Sequence, residues 1–160
     1  MKNKIYFDMD GVLAKWNPDA TIEEVATKGY FTNCAPEKTV IEAANLLIEG
    51  GYEVHILSSV FQDNHSKDDK KEWLERYLPN LPAENMHFVA YGHSKDEFVN
   101  PGEKDVLIDD FTPNLLGWTG RGIKMYNGIN GSKGRWRGYS VHSSMHEDIL
   151  YNQIAAIAAI

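Results

Sequence analysis

The sequence predicts an α/β domain with a central parallel sheet and helices on both faces. Three observations predict it. Short apolar runs alternate with longer stretches of helical period, the pattern of strand–crossover–strand units. The first run, Ile5-Tyr6-Phe7, ends in Asp8-Met9-Asp10-Gly11, so two acids stand at a strand edge and a glycine lets the chain turn away. Further reactive residues follow later runs: Ser58-Ser59, Lys95 and Asp109-Asp110. In open parallel sheets, ligands bind beyond the carboxyl ends of the strands.

Composition narrows the class. At 160 residues and 42% apolar, the chain reads as a single domain over 1–160, large enough to bury a full core. A net charge of −7 leaves no basic surface for a nucleic-acid polymer or an anionic membrane. A small anionic substrate needs positive charge, or a metal, placed locally. The single cysteine, Cys34, excludes an internal disulfide and suits a reducing compartment. No signal-like segment precedes Asp8, and no apolar run approaches about 18 residues. A cytoplasmic location is expected.

Lys4 to Phe7 is the first strand. Residues 15–35 form an insertion, expected to be a small cap. Trp16-Asn17-Pro18-Asp19 reads as a turn, and Thr21 to Lys28 as a short helix with Thr21 and Glu24 in a capping box. Pro36 to Glu49 is the first long helix, with Val40, Ile41, Ala44, Leu47 and Ile48 on one face and Gly50-Gly51 closing it. Tyr52 to Leu57 is the second strand. Residues 62–69 read as a polar surface loop, with the acids at 63, 68 and 69 in solvent. Lys70 to Leu78 is a helix burying Trp73, Leu74, Tyr77 and Leu78.

Met86 to Ala90 is the third strand, and Asp96 to Lys104 a loop. Asp105 to Ile108 is the fourth strand, Pro113 to Trp118 a short helix, and Gly122 to Tyr126 a fifth strand. A hairpin is expected through Asn127 to Tyr139, with Trp136 exposed in it. His146 to Ile160 is a terminal helix, packing through Ile149, Ile154 and Ile157. The histidines, His55 and His93 included, show no zinc spacing.

The reactive sets suggest one chemistry. Several carboxylates in one place repel each other unless a cation joins them, and hard oxygen ligands suit Mg²⁺. The metal would let an anionic phosphate approach. A carboxylate, ionised at neutral pH, attacks phosphorus without a base to activate it. A hydroxyl and a lysine would hold the phosphate oxygens. Two acids one residue apart can divide the roles of nucleophile and proton donor.

The chain resembles the haloacid-dehalogenase-like (HAD) phosphatases. Phe7-Asp8-Met9-Asp10-Gly11-Val12 looks like motif I, Ile56-Leu57-Ser58-Ser59 like motif II, Lys95 like motif III, and Leu107-Ile108-Asp109-Asp110 like motif IV. Within that superfamily it is most similar to the 5'(3')-deoxyribonucleotidase branch, cytosolic and mitochondrial type. Gly29-Tyr30-Phe31 in the insertion and Lys70-x-x-Trp73 after motif II match that branch. The resemblance covers roughly residues 3–120. It implies the three-layer α/β/α Rossmann-like HAD fold.

The resemblance also implies roles. Asp8 would form an aspartyl-phosphate. Asp10 would protonate the leaving oxygen and then activate water. The Asp8 carboxylate, the Asp10 backbone carbonyl and the Asp110 carboxylate would hold Mg²⁺, with Asp109 orienting them. Ser58 and Lys95 would bind phosphate, assisted by Ser59 and Lys70. Trp16 and Phe31 would contact the substrate. Two departures stand out: Phe111-Thr112-Pro113 follows the motif IV acids where the family often has Arg-Pro, and the insertion is shorter than a full helical cap. Lys104 is a rival to Lys95, which is preferred because it directly follows the third strand.

The expected activity is Mg²⁺-dependent hydrolysis of a small phosphomonoester, a (deoxy)ribonucleoside monophosphate, by a monomer or homodimer. The alternatives are a HAD phosphatase for another phosphoester, such as a sugar phosphate, and a silent phosphate-binding module. Retention of both Asp8 and Asp10 speaks against the silent module.

Overall fold

The computed structural model describes residues 2–63, 65–130 and 136–160. Its core is a six-stranded sheet in which every strand pair is parallel. In chain order the elements are β1 (Lys4–Phe7), α1 (Ile22–Val25), α2 (Lys38–Glu49), β2 (Glu53–Val60), α3 (Ser66–Tyr77), β3 (Met86–Ala90) and α4 (Lys95–Val99). Then come β4 (Val106–Asp109), α5 (Thr112–Leu116), β5 (Arg121–Tyr126), β6 (Tyr139–His142) and α6 (Glu147–Ala159). The strand order is β3-β2-β1-β4-β5-β6. β1 therefore lies inside the sheet, flanked by β2, which carries Ser58-Ser59 just before its last residue, Val60, and by β4, which ends in Asp109.

Side chains alternate across the pleat, so each central strand feeds two cores. Ile5 and Phe7 of β1, Val54 and Ile56 of β2, and Val106 and Ile108 of β4 join the buried faces of α2, α3 and α6. Tyr6, Leu57 and Leu107 face the other way, toward Leu115 of α5 and Trp118, with Val99 of α4 beside them. The result is three layers, thick on one side and thin on the other.

The insertion is docked on α3. The capping box at Thr21 and Glu24 forms, but its helix is a single turn: the Thr27 N–H bonds back only three residues, to the Glu24 carbonyl, and Gly29 at φ +89° then turns the chain away. The Asp69 carboxylate accepts the Gly29 N–H at 2.7 Å, and Trp73 Nε1 donates to the Cys34 carbonyl at 2.8 Å. Asp69 is therefore a buried anchor, not a solvated loop residue. α3 starts at Ser66, earlier than expected, because the Asp63 carboxylate takes up the His65 and Ser66 N–H groups that begin it.

Other expectations need correction. Residues expected as a loop from Asp96 contain α4, capped by Ser94 accepting from the Glu97 N–H. β6 is parallel to β5, so these strands are not a hairpin. Part of the segment expected as that hairpin, 131–135, lies outside the described residues. Trp136 is half-buried against Gly122 and donates to the Tyr139 carbonyl at 2.8 Å. In α6, Leu150 is buried where Ile149 was expected, since 150, 154 and 157 share one helical face. Cys34 is half-buried, and burial raises its thiol to about 11, as expected of a structural cysteine.

Candidate active site

Parallel strands bring their C-terminal ends to one edge, and the motif residues meet there. β1 delivers Asp8, which is buried, and Asp10, part-exposed two residues on. Between them and Val12 the chain turns at Gly11, φ +83°. A Cβ at Gly11 would collide with the Asp110 carboxylate, so glycine is required both for the turn and for this approach.

Lys95, at the start of α4, lies buried between two acids. Its Nζ is 2.9 Å from Asp8 Oδ1 and 2.8 Å from Asp109 Oδ2. Burial would lower its ammonium, but Asp8 and Asp109 hold it well above its ordinary value. Lys104 is exposed and takes no part. Asp109 is fully engaged: Oδ1 accepts the Phe111 N–H at 2.9 Å, and Oδ2 also accepts Asn114 Nδ2 at 3.0 Å.

Burial, then the charge of Asp109, pushes the Asp8 carboxyl well above its ordinary value, with Lys95 opposing. The same two causes raise Asp110 to about 6. Two buried ammoniums, Lys95 between Asp8 and Asp109 and Lys124 on the Asp110 backbone carbonyl, thus face three buried carboxylates, Asp8, Asp109 and Asp110, each offering an oxygen within 4.8 Å of the others. That surplus of hard, buried negative charge fits a small divalent cation such as Mg²⁺. The Asp10 carboxylate stays out of the cluster.

Lys70 of α3 occupies a different place from the one expected. Its Nζ is 2.6 Å from Asp10 Oδ2, 3.0 Å from Ser58 Oγ and 2.6 Å from the Ser59 carbonyl, with the Phe31 ring centre at 4.3 Å. All its N–H donors are therefore committed to protein groups. Lys70, Ser58 and Phe31 sit behind Asp10 and do not line the cavity at the sheet edge. Phe31 is a core residue facing an ammonium rather than a pocket wall.

That cavity has a volume of about 620 Å³. Asp8, Asp10, Ser59, Lys95 and Asp110 line it, with Trp16, Tyr91 and Phe111 as its aromatic surface. Trp16 also lines a neighbouring cavity of about 560 Å³ within the insertion. His93 reaches the main cavity, but His55 is buried elsewhere, paired with His87.

Several site residues escaped the sequence reading. Buried Lys124 of β5 donates to the Asp110 carbonyl and, at 2.8 Å, to Thr112 Oγ1. Asn127 and Asn130, from the loop after β5, reach Asp110. Applied to the fifth strand, the strand-end rule would have pointed to Asn127. Nothing local marks Lys124, which reads as an ordinary strand lysine.

A parallel sheet carrying an acid pair after β1 and a second at the end of β4, with Lys95 bridging Asp8 of the first to Asp109 of the second, defines the class of HAD-like phosphatases, phosphomonoester hydrolases. The chain belongs, more particularly, to the family described as 5' nucleotidase, deoxy (pyrimidine), cytosolic type C protein, whose model matches residues 19–143. The match begins beyond Asp8 and Asp10, so those two rest on motif and geometry. No curated protein matches the chain.

Solved structures share the fold. D,D-heptose 1,7-bisphosphate phosphatase from Burkholderia thailandensis aligns with TM-score 0.64 at 13% identity, over 97% of this chain and 99% of its own. A protein from Mesorhizobium loti described as a HAD-like phosphatase aligns with TM-score 0.60 at 13% identity, over 99% of this chain and 87% of its own. At that identity the likeness concerns the fold.

Proposed function

We propose that this protein is a Mg²⁺-dependent phosphomonoesterase that converts nucleoside monophosphates, deoxyribonucleotides in particular, to nucleoside and phosphate. One observation carries the reading. A single cavity combines buried Asp8 and Lys95 and the Asp10 carboxylate with the aromatic surfaces of Trp16, Tyr91 and Phe111. The first group suits a phosphate and the second a planar base. The family's description, a deoxy 5' nucleotidase, supports the same substrate class.

In this reading Asp8 attacks phosphorus, using the oxygen not paired with Lys95. The bond from phosphorus to the sugar oxygen breaks, and an aspartyl-phosphate forms on Asp8. Asp10, carrying a proton on the oxygen not paired with Lys70, gives it to the leaving oxygen, then takes one from water. The water oxygen attacks phosphorus, phosphate leaves and Asp8 is restored. Lys95 and Ser59 hold the non-bridging oxygens. Lys70 holds Asp10 in place and is itself held by the Ser58 hydroxyl and the Ser59 carbonyl. Mg²⁺ bound by Asp8, Asp110 and the Asp10 carbonyl, with Asp109 orienting them, would offset charge on the transferring group. Residues 15–35 serve as a small cap carrying Trp16. The protein works in the cytoplasm as a monomer or homodimer.

The test is phosphate release from a panel of nucleoside monophosphates and sugar phosphates, with Mg²⁺ and with chelator, in wild type and Trp16→Ala. Nucleotides are expected to show the higher kcat/KM, to lose it in Trp16→Ala, and to release no phosphate in chelator. A preference for sugar phosphates would overturn the substrate class. Full activity in chelator would overturn the metal.

A further inference from the structure

We propose that Asn127 and Asn130 are positioning residues that fix the Asp110 carboxylate for the cation, making the loop after β5 part of the metal site. The inference deepens the reading above and rests on it, because it takes Asp110 to be a metal ligand.

The contacts are specific to one oxygen. Asn130 Nδ2 donates to Asp110 Oδ2 at 2.6 Å, and Asn127 Nδ2 approaches the same oxygen at 3.4 Å. Asn127 Nδ2 also donates to the Gly11 carbonyl at 2.9 Å. A carboxamide carries two N–H groups, so one Asn127 side chain can serve both acceptors. It thereby ties the turn after Asp8 to the acid after β4.

The loop is built to hold this pose. Asn127 Oδ1 accepts the backbone N–H groups of Ile129 at 2.9 Å and Asn130 at 2.8 Å. Gly128 between them adopts φ +79°. Asn127 thus folds the loop with its oxygen and engages the site with its nitrogen. Asn130 arrives at Asp110 through that fold.

The choice of a neutral donor has a chemical consequence. An ammonium or guanidinium on Asp110 Oδ2 would spend the carboxylate's charge and repel a nearby cation. An amide N–H occupies the oxygen and leaves the charge in place. Among the described residues no other side chain donates to Oδ1, which leaves that oxygen for the metal. Asp110 is buried apart from the edge it turns to the cavity, and these two amides hold its Oδ2. Partners that orient metal ligands in this way typically govern metal affinity by 10–100-fold.

The experiment titrates Mg²⁺ into the full chain by calorimetry, for wild type and Asn130→Ala. In parallel, the Mg²⁺ dependence of p-nitrophenyl phosphate hydrolysis is measured. Asn130→Ala is expected to bind Mg²⁺ about 10–100-fold more weakly and to need proportionally more Mg²⁺ for half-activation, with kcat at saturating Mg²⁺ largely kept. Folding is checked by the unfolding midpoint in chelator. If Asn130→Ala does not fold, Asn130→Leu, which keeps the volume and removes the donor, is read the same way. Wild-type Mg²⁺ affinity in a folded variant overturns the inference. So does a fall in kcat at saturating Mg²⁺ with half-activation unchanged. No Mg²⁺ binding by the wild type overturns the metal reading itself, and the inference with it.

Discussion

The Lys70 ammonium sits 2.6 Å from the Asp10 carboxylate while making no contact with the cavity that Asp10 faces. Lys70 is 1% exposed, and its remaining donors go to Ser58 and Ser59. One buried cation thus locks the end of β2 to the turn after β1. It acts on the proposed acid–base residue from behind.

Lys70→Met should therefore slow turnover more than it weakens substrate binding. Freed of its partner, Asp10 can rotate, and misplacement of a reacting group by an ångström can reduce rate by up to about a hundredfold. The check is kcat and KM for phosphate release. A rise in KM with kcat intact would place Lys70 on the substrate instead.

Asp8→Asn should abolish hydrolysis, since an amide neither attacks phosphorus nor holds Mg²⁺ well. Asp10→Asn should keep phosphate binding but slow turnover at least roughly a hundredfold, the scale of general acid–base groups. Phosphate release and inhibition by inorganic phosphate measure the two effects. Near-normal turnover by Asp8→Asn would sink the nucleophile assignment.

Gly11→Ala should damage the site although it adds only a methyl group. The residue sits at φ +83°, and its Cβ would meet the Asp110 carboxylate. Backbone strain of this kind costs about 1 kcal/mol or more, and displacing Asp110 adds to it. Denaturant unfolding and calorimetric Mg²⁺ titration should both show losses. A variant with wild-type Mg²⁺ affinity would contradict the close approach of the turn to Asp110.

Acid should weaken the fold through His55 and His87. Their rings lie nearly parallel, 18° apart with centres at 5.1 Å, and His55 Nδ1 is 2.9 Å from His87 Nε2. Glu53 can only accept, so His55 Nε2–H donates to it, and His55 Nδ1 accepts from His87 Nε2–H. Burial pushes both imidazoles below their ordinary 6.5, and for His87 the neighbouring His55 adds to this. Each then binds its proton more readily when unfolded. The stability they contribute is present above about pH 6.5 and falls as pH drops through that value toward their folded pKa. Asp8 and Asp110, raised by burial, act in the opposite sense, so wild type is compared with His87→Gln, which shares them. Urea unfolding at about pH 7.5 and 5.5 should show the wild-type advantage shrinking in acid. An equal advantage at both would exclude the pair as the cause.

Much of the fold was legible because parallel strands buried on both faces read as plain apolar runs. β1 and β3 fall where their runs predict, and so does the capping box at Thr21. α4 was missed although Ser94-x-x-Glu97 is a helix-start pattern, since the helix is too short to show a period. β6 was not anticipated, because its run of four residues is too short to stand out, and the loop before it reads as a hairpin as readily as a crossover. Asp69 looked solvated because neighbouring acids at 63 and 68 set the local pattern, while its partner, the Gly29 N–H, is distant in sequence.

The sequence by itself determined the strand–helix alternation and the identity of the groups at the strand ends: Asp8, Asp10, Ser58, Ser59, Lys95, Asp109 and Asp110. These are local facts, set by apolar runs and the polar residues that end them. Only the tertiary structure decided which groups face the cavity and which stand behind it. It put Lys95 between Asp8 and Asp109, withdrew Lys70 and Phe31 behind Asp10, and brought Asn127 and Asn130 to Asp110. Those contacts join residues far apart along the chain. Their partners are chosen by sheet order and burial, where an unpaired buried charge costs too much to leave alone, and no local pattern records that choice.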